Sequence, residues 1–524
     1  MKSSKRPLFF AMTTILITGQ IYAQVLPPVA KPTAPVVVPN PVVKPAVKLS
    51  PVLMAAMNRR IQTVRNLIIA AAPHGIFYSL YFNDNIETEL KNLLAVGNIP
   101  FINGRLNQIV NRLASDISRG RVLPGSVPDK AAIIAKPYLH QVISDQFINS
   151  KMTNEDFLLA VVPKNRIYQQ AQSIVGRLIE MKTKNTWMTK PAALKLGIVS
   201  KKTINPDLIL FARGSLENLG YLNNRISTVY DTDLETALKL FQADNGLKND
   251  GVAGDMSWAI LNRPVDQLIS QAVMNLDRTR WLPDVNPAEY IYINLAQQQF
   301  HYFENEIETL TFKTVNGRLD RQTPLMVDVA RDVVLNPTWT VPRNLFVKDK
   351  IPKLLADPTW SLQANMIMYS DIDNSVVDPT TVDWTLPPEQ LPYTLVQSPG
   401  PSNALGFIKF PLKNGFSIYM HDTNERYLFE TTDRLKSSGC MRLEKPFELA
   451  EKLLAGTKWT AEALRAASEF SPVPAEKQSY ITMRRPVPVY VSYKTLDVVN
   501  GHLISSNDPY EVDITMYNVF ATGK

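Results

Sequence analysis

The sequence predicts a multidomain α+β protein: a helical scaffold, a small three-helix domain, and a mostly β domain that carries a long insertion. Three observations lead to this. Apolar residues recur at helical spacing from residue 52 to about 195, glycine-containing turns divide 204–264 into three short helices, and after Pro283 the period changes to the alternation of strands. A chain of 524 residues has room for two to four such domains, each with a full core.

The chain opens Met1-Lys2-Ser3-Ser4-Lys5-Arg6 and then runs mostly apolar from Leu8 to Ile17, with Ala23 where a signal peptidase could cut. A basic start, a short apolar core and a small residue make 1–23 a secretory signal. The run is too short to span a bilayer comfortably, and an uncleaved anchor is the alternative. Residues 24–51 are rich in proline (Pro27, Pro28, Pro32, Pro35, Pro39, Pro41, Pro45, Pro51), which makes them a semi-stiff tether or a disordered leader.

In the scaffold (52–203), Ile61, Val64, Leu67 and Ile68 repeat at helical spacing, as do Leu106, Ile109, Val110 and Leu113, and no catalytic spacing occurs. In 204–264, helices are expected over Leu208–Leu222, around Leu234–Gln242 and over Ser257–Leu261, with Asn245-Gly246 and Asp250-Gly251-Val252-Ala253-Gly254 as turns. A connecting helix (265–285) ends in Arg280-Trp281-Leu282-Pro283, and the β domain follows over 286–500. There Ile291, Ile293 and Leu295 alternate, as do Val333 and Leu335, and 407–410 and 417–420 read as strands. The insertion, 344–398, carries Trp360, Tyr369, Trp384 and Tyr393 and is either a lid or a packing subdomain. Lys445–Leu454 is the clear helix of this domain, with Pro446 in its first turn, Glu448 and Lys452 at i,i+4, and Gly456 at its stop. The tail from Pro472 is expected to return strands to the β domain through Val487–Tyr493, and 501–524 carries no separate activity.

The net charge of +8 is spread along the chain without the basic runs of a nucleic-acid binder, and it suits an anionic wall or membrane surface. The chain has one cysteine, Cys440, in Ser437-Ser438-Gly439-Cys440-Met441-Arg442. A lone cysteine is often a small buried hydrophobe. In an exported chain it can form no internal disulfide, so the thiol is free, mixed or reactive. The other histidines show no ligand spacing with it, so no zinc site, and no metal or other cofactor, is expected. His421, in Tyr419-Met420-His421-Asp422-Thr423, is the nearest histidine in sequence and the candidate base.

These motifs are recognisable. Residues 204–264, with Phe241-Gln242, Asp250-Gly251-Val252 and Gly254, resemble the peptidoglycan-binding repeat of wall enzymes. His421-Asp422-Thr423 followed by Ser438-Gly439-Cys440-Met441-Arg442 resembles the motif of YkuD-type L,D-transpeptidases, in particular their large YcbB-like subgroup, in which Ser also precedes the Gly-Cys pair. The stretches 334–342 and 398–406 share the likeness. The resemblance implies a periplasmic enzyme that acts on peptidoglycan stem peptides, with cell-wall synthases as possible partners and the membrane involved only through an uncleaved signal. It implies that Cys440 is the nucleophile and His421 the base, forming a thiolate–imidazolium pair, with a backbone carbonyl near His421 orienting the ring and Asp422 the neighbour to watch. A stem tetrapeptide would acylate Cys440, releasing D-Ala, and a second stem's amine would complete a 3-3 cross-link. Carbapenems would acylate the same thiol.

For the tetrahedral step the loop backbone at Ser438, Gly439 and Cys440 offers N–H donors, because glycine lets the chain approach the reacting carbon. Arg442 either holds a substrate carboxylate or forms an ion pair that fixes the Cys loop. Tyr419, on the face of His421 if the strand is regular, lines the pocket or fills the core. The rival outcomes are an L,D-carboxypeptidase and a transferase anchoring a lipoprotein to the wall, since only the acceptor differs. A non-catalytic wall-binding scaffold would rest on 204–264 alone. A serine penicillin-binding enzyme is disfavoured by the absence of Ser-x-x-Lys.

Overall fold

The structure is a computed structural model that describes residues 49–127, 130–137, 140–149, 151–468 and 479–522. The expected signal (1–23) and all but the last residues of the proline-rich linker lie outside the described residues. No helix among them is long and apolar enough to cross a membrane. The described residues form two compact units, one of those before 128, from 133 to 285 and from 494 on, the other of 130–132 and those from 286 to 493.

The first unit is helical. Helix Pro51–Ala70 starts where Ser50 accepts from the Leu53 N–H and Pro51 supplies a preset φ. It buries Ile61, Val64, Leu67 and Ile68 against Leu106, Val110 and Leu113 of helix Ile99–Arg119, the two stripes read from the sequence. A capping box of Thr153 and Asp156 begins helix Asn154–Val161. Helices Pro206–Asn218, Thr232–Asp244 and Asp255–Leu261 form the three-helix domain. Its motif residues hold the fold. Gln242 accepts from the Gly251 N–H at 2.8 Å and donates to the Val252 carbonyl at 3.0 Å, while Gly251 takes φ +73°. The buried Arg213 guanidinium donates to both oxygens of Asp231, the residue capping Thr232–Asp244. Helix Val265–Thr279 is buried along most of its length, and its Asp277 accepts from Arg280 and from the N–H groups of Arg121 and Val122. Residues 494–522 fold with this unit. Thr495 bonds Asn275, and Asp513, on helix Val512–Thr522, pairs with the buried Arg278 at 2.5 Å.

The second unit is built on a nine-stranded sheet in the order β11-β3-β12-β10-β9-β4-β13-β1-β2. The strands are β1 (Glu289–Asn294), β2 (Gln299–Glu304), β3 (Ile307–Gly317), β4 (Met326–Leu335), β9 (Ile408–Phe410), β10 (Met420–His421), β11 (Leu435–Ser437), β12 (Met441–Leu443) and β13 (Ser479–Ser492). β2 also pairs with β3, so the sheet closes on itself and leaves few free edges. β13, the tail strand expected from Val487–Tyr493, runs parallel to β1 and antiparallel to β4. The remaining strands, β5 (Trp339–Thr340), β6 (Met366–Ser370), β7 (Val376–Val377) and β8 (Tyr393–Gln397), make a separate four-stranded sheet in the order β5-β8-β6-β7. With its own core of Phe346, Leu354, Met368, Trp384 and Leu395, the insertion is a folded subdomain rather than a long loop.

Helix Pro446–Leu453 begins at its proline as expected. Its expected Glu448–Lys452 pair does not form. Lys452 reaches Glu304 at 2.8 Å and Glu448 pairs with Arg465, on a further helix, Ala461–Ser468, at 2.6 Å. An exposed i,i+4 pair offers only about 0.3–0.5 kcal/mol, so such long side chains readily take partners from other elements.

Candidate active site

β10 lies between β9 and β12, and its register sorts the site residues. Met420 pairs with Phe410 on one side and Met441 on the other, and all three are fully buried in the core. Because side chains alternate, His421 and its partners Lys409 and Arg442 stand on the opposite face in one row across the three strands. Tyr419 and Cys440 form the adjacent row: the Met441 N–H donates to the Tyr419 carbonyl, which brings Cys440 alongside Tyr419. Cys440 and His421 are thus diagonal neighbours on one face, and the Tyr419 and His421 rings lie 5.6 Å apart.

His421 is 4% exposed, and its Nδ1 is 2.5 Å from the backbone carbonyl oxygen of Asp422. A carbonyl only accepts, so Nδ1 carries the proton and Nε2 is left as the basic nitrogen. Asp422 thus orients the ring through its main chain. Its carboxylate is spent on the loop, accepting from the Phe407 N–H at 3.0 Å and from Arg426 at 2.7 Å. Gly406 packs so closely on this carboxylate that a β-carbon there would overlap it.

Burial, then the charge of Arg442, lowers His421 to about 3, and the Asp422 carbonyl only partly opposes this. Burial pushes the Cys440 thiol up to about 11, against hydrogen bonds from Tyr419 and the charges of Lys409 and Arg442. Burial therefore favours the neutral thiol and the neutral imidazole at rest. For the expected thiolate–imidazolium pair, two nearby cations favour the thiolate but disfavour the imidazolium, and burial disfavours both charges. The proton must move as the thiol attacks. At rest Sγ faces the Ser417 carbonyl at 3.7 Å.

The Cys loop joins β11 to β12. Gly439 has φ +120°, open to glycine and strained for other residues. Thr323 donates to the Gly439 carbonyl at 2.7 Å, and the Ser437 hydroxyl donates to the Cys440 carbonyl at 2.6 Å. The Ser437 oxygen also accepts from the Gly439 N–H at 3.1 Å. Gly439 is accordingly corrected as an oxyanion donor, because its N–H already has a partner. The Cys440 N–H has none among the described residues. Ser438 accepts a bond from Arg321 at 3.2 Å, and Arg321 in turn holds Asp349 of the insertion with two bonds, at 2.5 and 2.6 Å.

Arg442 bonds Glu425 at 2.5 Å and Thr423 at 3.4 Å, the ion-pair arrangement of its two expected roles, although the pair ties down the 423–425 loop rather than the Cys loop. Tyr419 is half-buried, with Cys440 and Trp339 as polar neighbours of its side chain. Sequence reasoning missed Lys409, Trp339, Arg321 and Asp349. Lys409 was visible only as the polar position in the alternation of 407–410, and nothing local shows that β9 pairs with β10.

The site can be compared with known proteins. Residues 288–462 match the sequence model of the YkuD family, described as the L,D-transpeptidase catalytic domain, and residues 208–261 match that of a putative peptidoglycan-binding domain. The chain carries a YkuD L,D-transpeptidase domain. A putative L,D-transpeptidase of Haemophilus influenzae is 33% identical over 246 residues, which cover 47% of this chain and 48% of the relative. The chain thus spans about half the length of the curated relative it matches. An L,D-transpeptidase crystal structure from Xylanimonas cellulosilytica is 14% identical and covers 58% of this chain and 100% of its own, with a TM-score of 0.17. A fused Zn-dependent amidase/peptidase/peptidoglycan-binding-domain protein from Clostridium acetobutylicum is 12% identical and covers 57% and 100%, with a TM-score of 0.14. Likeness this slight carries no argument.

Proposed function

We propose that this YkuD domain forms 3-3 peptidoglycan cross-links through a thioester on Cys440, and that the protein works in the periplasm. The observation that supports this most is the fixed tautomer of His421: with Nδ1–H given to the Asp422 carbonyl, Nε2 serves as base on the face that carries Cys440. In the first step Sγ attacks the carbonyl of the diamino acid in a stem tetrapeptide while Nε2 takes the thiol proton. The oxyanion is met by the Cys440 N–H and the positive field of Arg442. The C–N bond then breaks, Nε2 returns the proton to the departing D-Ala amine, and a thioester remains. In the second step the side-chain amine of another stem attacks the thioester. The S–C bond breaks, an amide forms, and the amine's proton returns to sulfur by way of His421.

The three-helix domain would hold the enzyme on its polymeric substrate. Water in place of the second stem would make the protein a carboxypeptidase, and a lipoprotein amine would make it an anchoring transferase. Digestion of sacculi after overexpression separates these outcomes: 3-3 dimers should rise with the wild type and not with Cys440→Ala. A rise in tripeptides without dimers would replace this reading by hydrolysis.

A further inference from the structure

Among the described residues, Lys409 is the cation at the site that has no carboxylate partner. Arg442 is taken by Glu425, and Arg426, behind His421, by Asp422. Lys409 is half-buried on β9, in register with His421. Its ammonium lies 4.1 Å from the centre of the Tyr419 ring, and Tyr419 stands alongside Cys440 in the adjacent row of the sheet. Among the described residues no acidic side chain lies within ion-pair distance of it, and Cys440 is the ionisable neighbour that acts on it. A partly buried cation without a counter-ion is unfavourable unless an anion arrives to complete the site. The aromatic face below it compensates only in part.

The reaction proposed above, on which this inference rests, brings one anion to a fixed place. The residue that leaves in the first step carries a free carboxylate, separated from the scissile C–N bond by a single α-carbon. A substrate carbonyl presented to Cys440 therefore carries this carboxylate into the surroundings of the thiol. A lysine on a flexible stem offers a compact charge with three donors, suited to a group that must bind and then depart.

We propose that Lys409 is the specificity-determining residue for the substrate's C-terminal carboxylate, and so restricts the enzyme to stems ending one residue beyond the scissile bond. An alternative role, stabilising the thiolate, would act on any electrophile alike, with or without a carboxylate.

The test compares a stem tetrapeptide ending in D-Ala with its C-terminal carboxamide, using wild type, Lys409→Met and Lys409→Arg. The wild type should prefer the acid by at least about tenfold in kcat/KM, mainly through KM. Lys409→Met should lose that preference by falling to the carboxamide rate on the acid, and Lys409→Arg should keep it. Alkylation of Cys440 by neutral iodoacetamide, which also reports on folding, should change by less than about threefold in either variant. An acid preference undiminished in Lys409→Met would overturn this inference alone, as would an equal loss on both peptides accompanied by slowed alkylation in both variants. Turnover of neither peptide by the wild type would overturn the functional reading and this inference with it.

Discussion

His421 Nδ1 and the backbone carbonyl of Asp422 are 2.5 Å apart, and this one hydrogen bond sets which nitrogen of the buried imidazole can act as base. The Asp422 side chain holds that carbonyl in place by accepting from Phe407 and Arg426. Asp422→Ala should therefore reduce kcat by about 10- to 100-fold and stability by about 1–3 kcal/mol, since the Phe407 N–H loses its partner. Steady-state kinetics with thermal melts check this. His421→Ala should reduce kcat by a further factor, within the 10²–10⁴ that a positioned base contributes.

The neutral resting pair predicts the pH dependence of Cys440. With its thiol at about 11, the alkylation rate should climb steadily between pH 6.5 and 9.5, whereas a preformed ion pair would give a plateau near neutrality. Stopped-flow alkylation with iodoacetamide reads the difference.

His421 also links stability to acid. Its folded value, about 3, is below that of the unfolded chain, near 6.5, so between these values the unfolded state binds the extra proton. Its stability contribution is complete above about pH 6.5 and is lost as pH falls towards 3. Denaturant midpoints measured from pH 7 to 4 should fall, and His421→Gln should reduce that slope.

Arg321 joins the Cys loop to the insertion by bonding Ser438 and Asp349 together. Its two-pronged grip on Asp349 cannot be reproduced by an ammonium. Arg321→Lys should lower kcat/KM by about 3- to 10-fold, and Asp349→Ala should do likewise. Combined, the two changes should be clearly less than additive, which a double-mutant cycle measures.

In the three-helix domain, Gln242 satisfies both the Gly251 N–H and the Val252 carbonyl. Gln242→Ala should destabilise the protein by about 1–3 kcal/mol, read by chemical denaturation, and weaken retention on sacculi, while turnover of soluble stem peptides stays near wild type.

The sequence made legible whatever depends on local pattern. The stripe Ile61–Val64–Leu67–Ile68 marked a buried helix face, the loss of helical period after Pro283 marked the β unit, and the His421 and Cys440 motifs marked the site. What depended on distant pairing was hidden. Lys409 reaches the site because β9 hydrogen-bonds to β10, a long-range register that no local spacing encodes. Glu448 and Lys452 looked like partners because they are near in sequence, yet Arg465 and Glu304 come closer in space. The Gly439 N–H looked available because its partner is the Ser437 side chain, whose rotamer the sequence does not reveal.

The central claim is that Cys440 carries the acyl group. Intact-mass measurement of the protein mixed with a stem tetrapeptide tests it most directly. The account predicts a mass gain equal to the tetrapeptide less D-Ala, located on Cys440, removed by hydroxylamine and absent in Cys440→Ala. Release of D-Ala by Cys440→Ala at the wild-type rate, or an adduct on another residue, would contradict it.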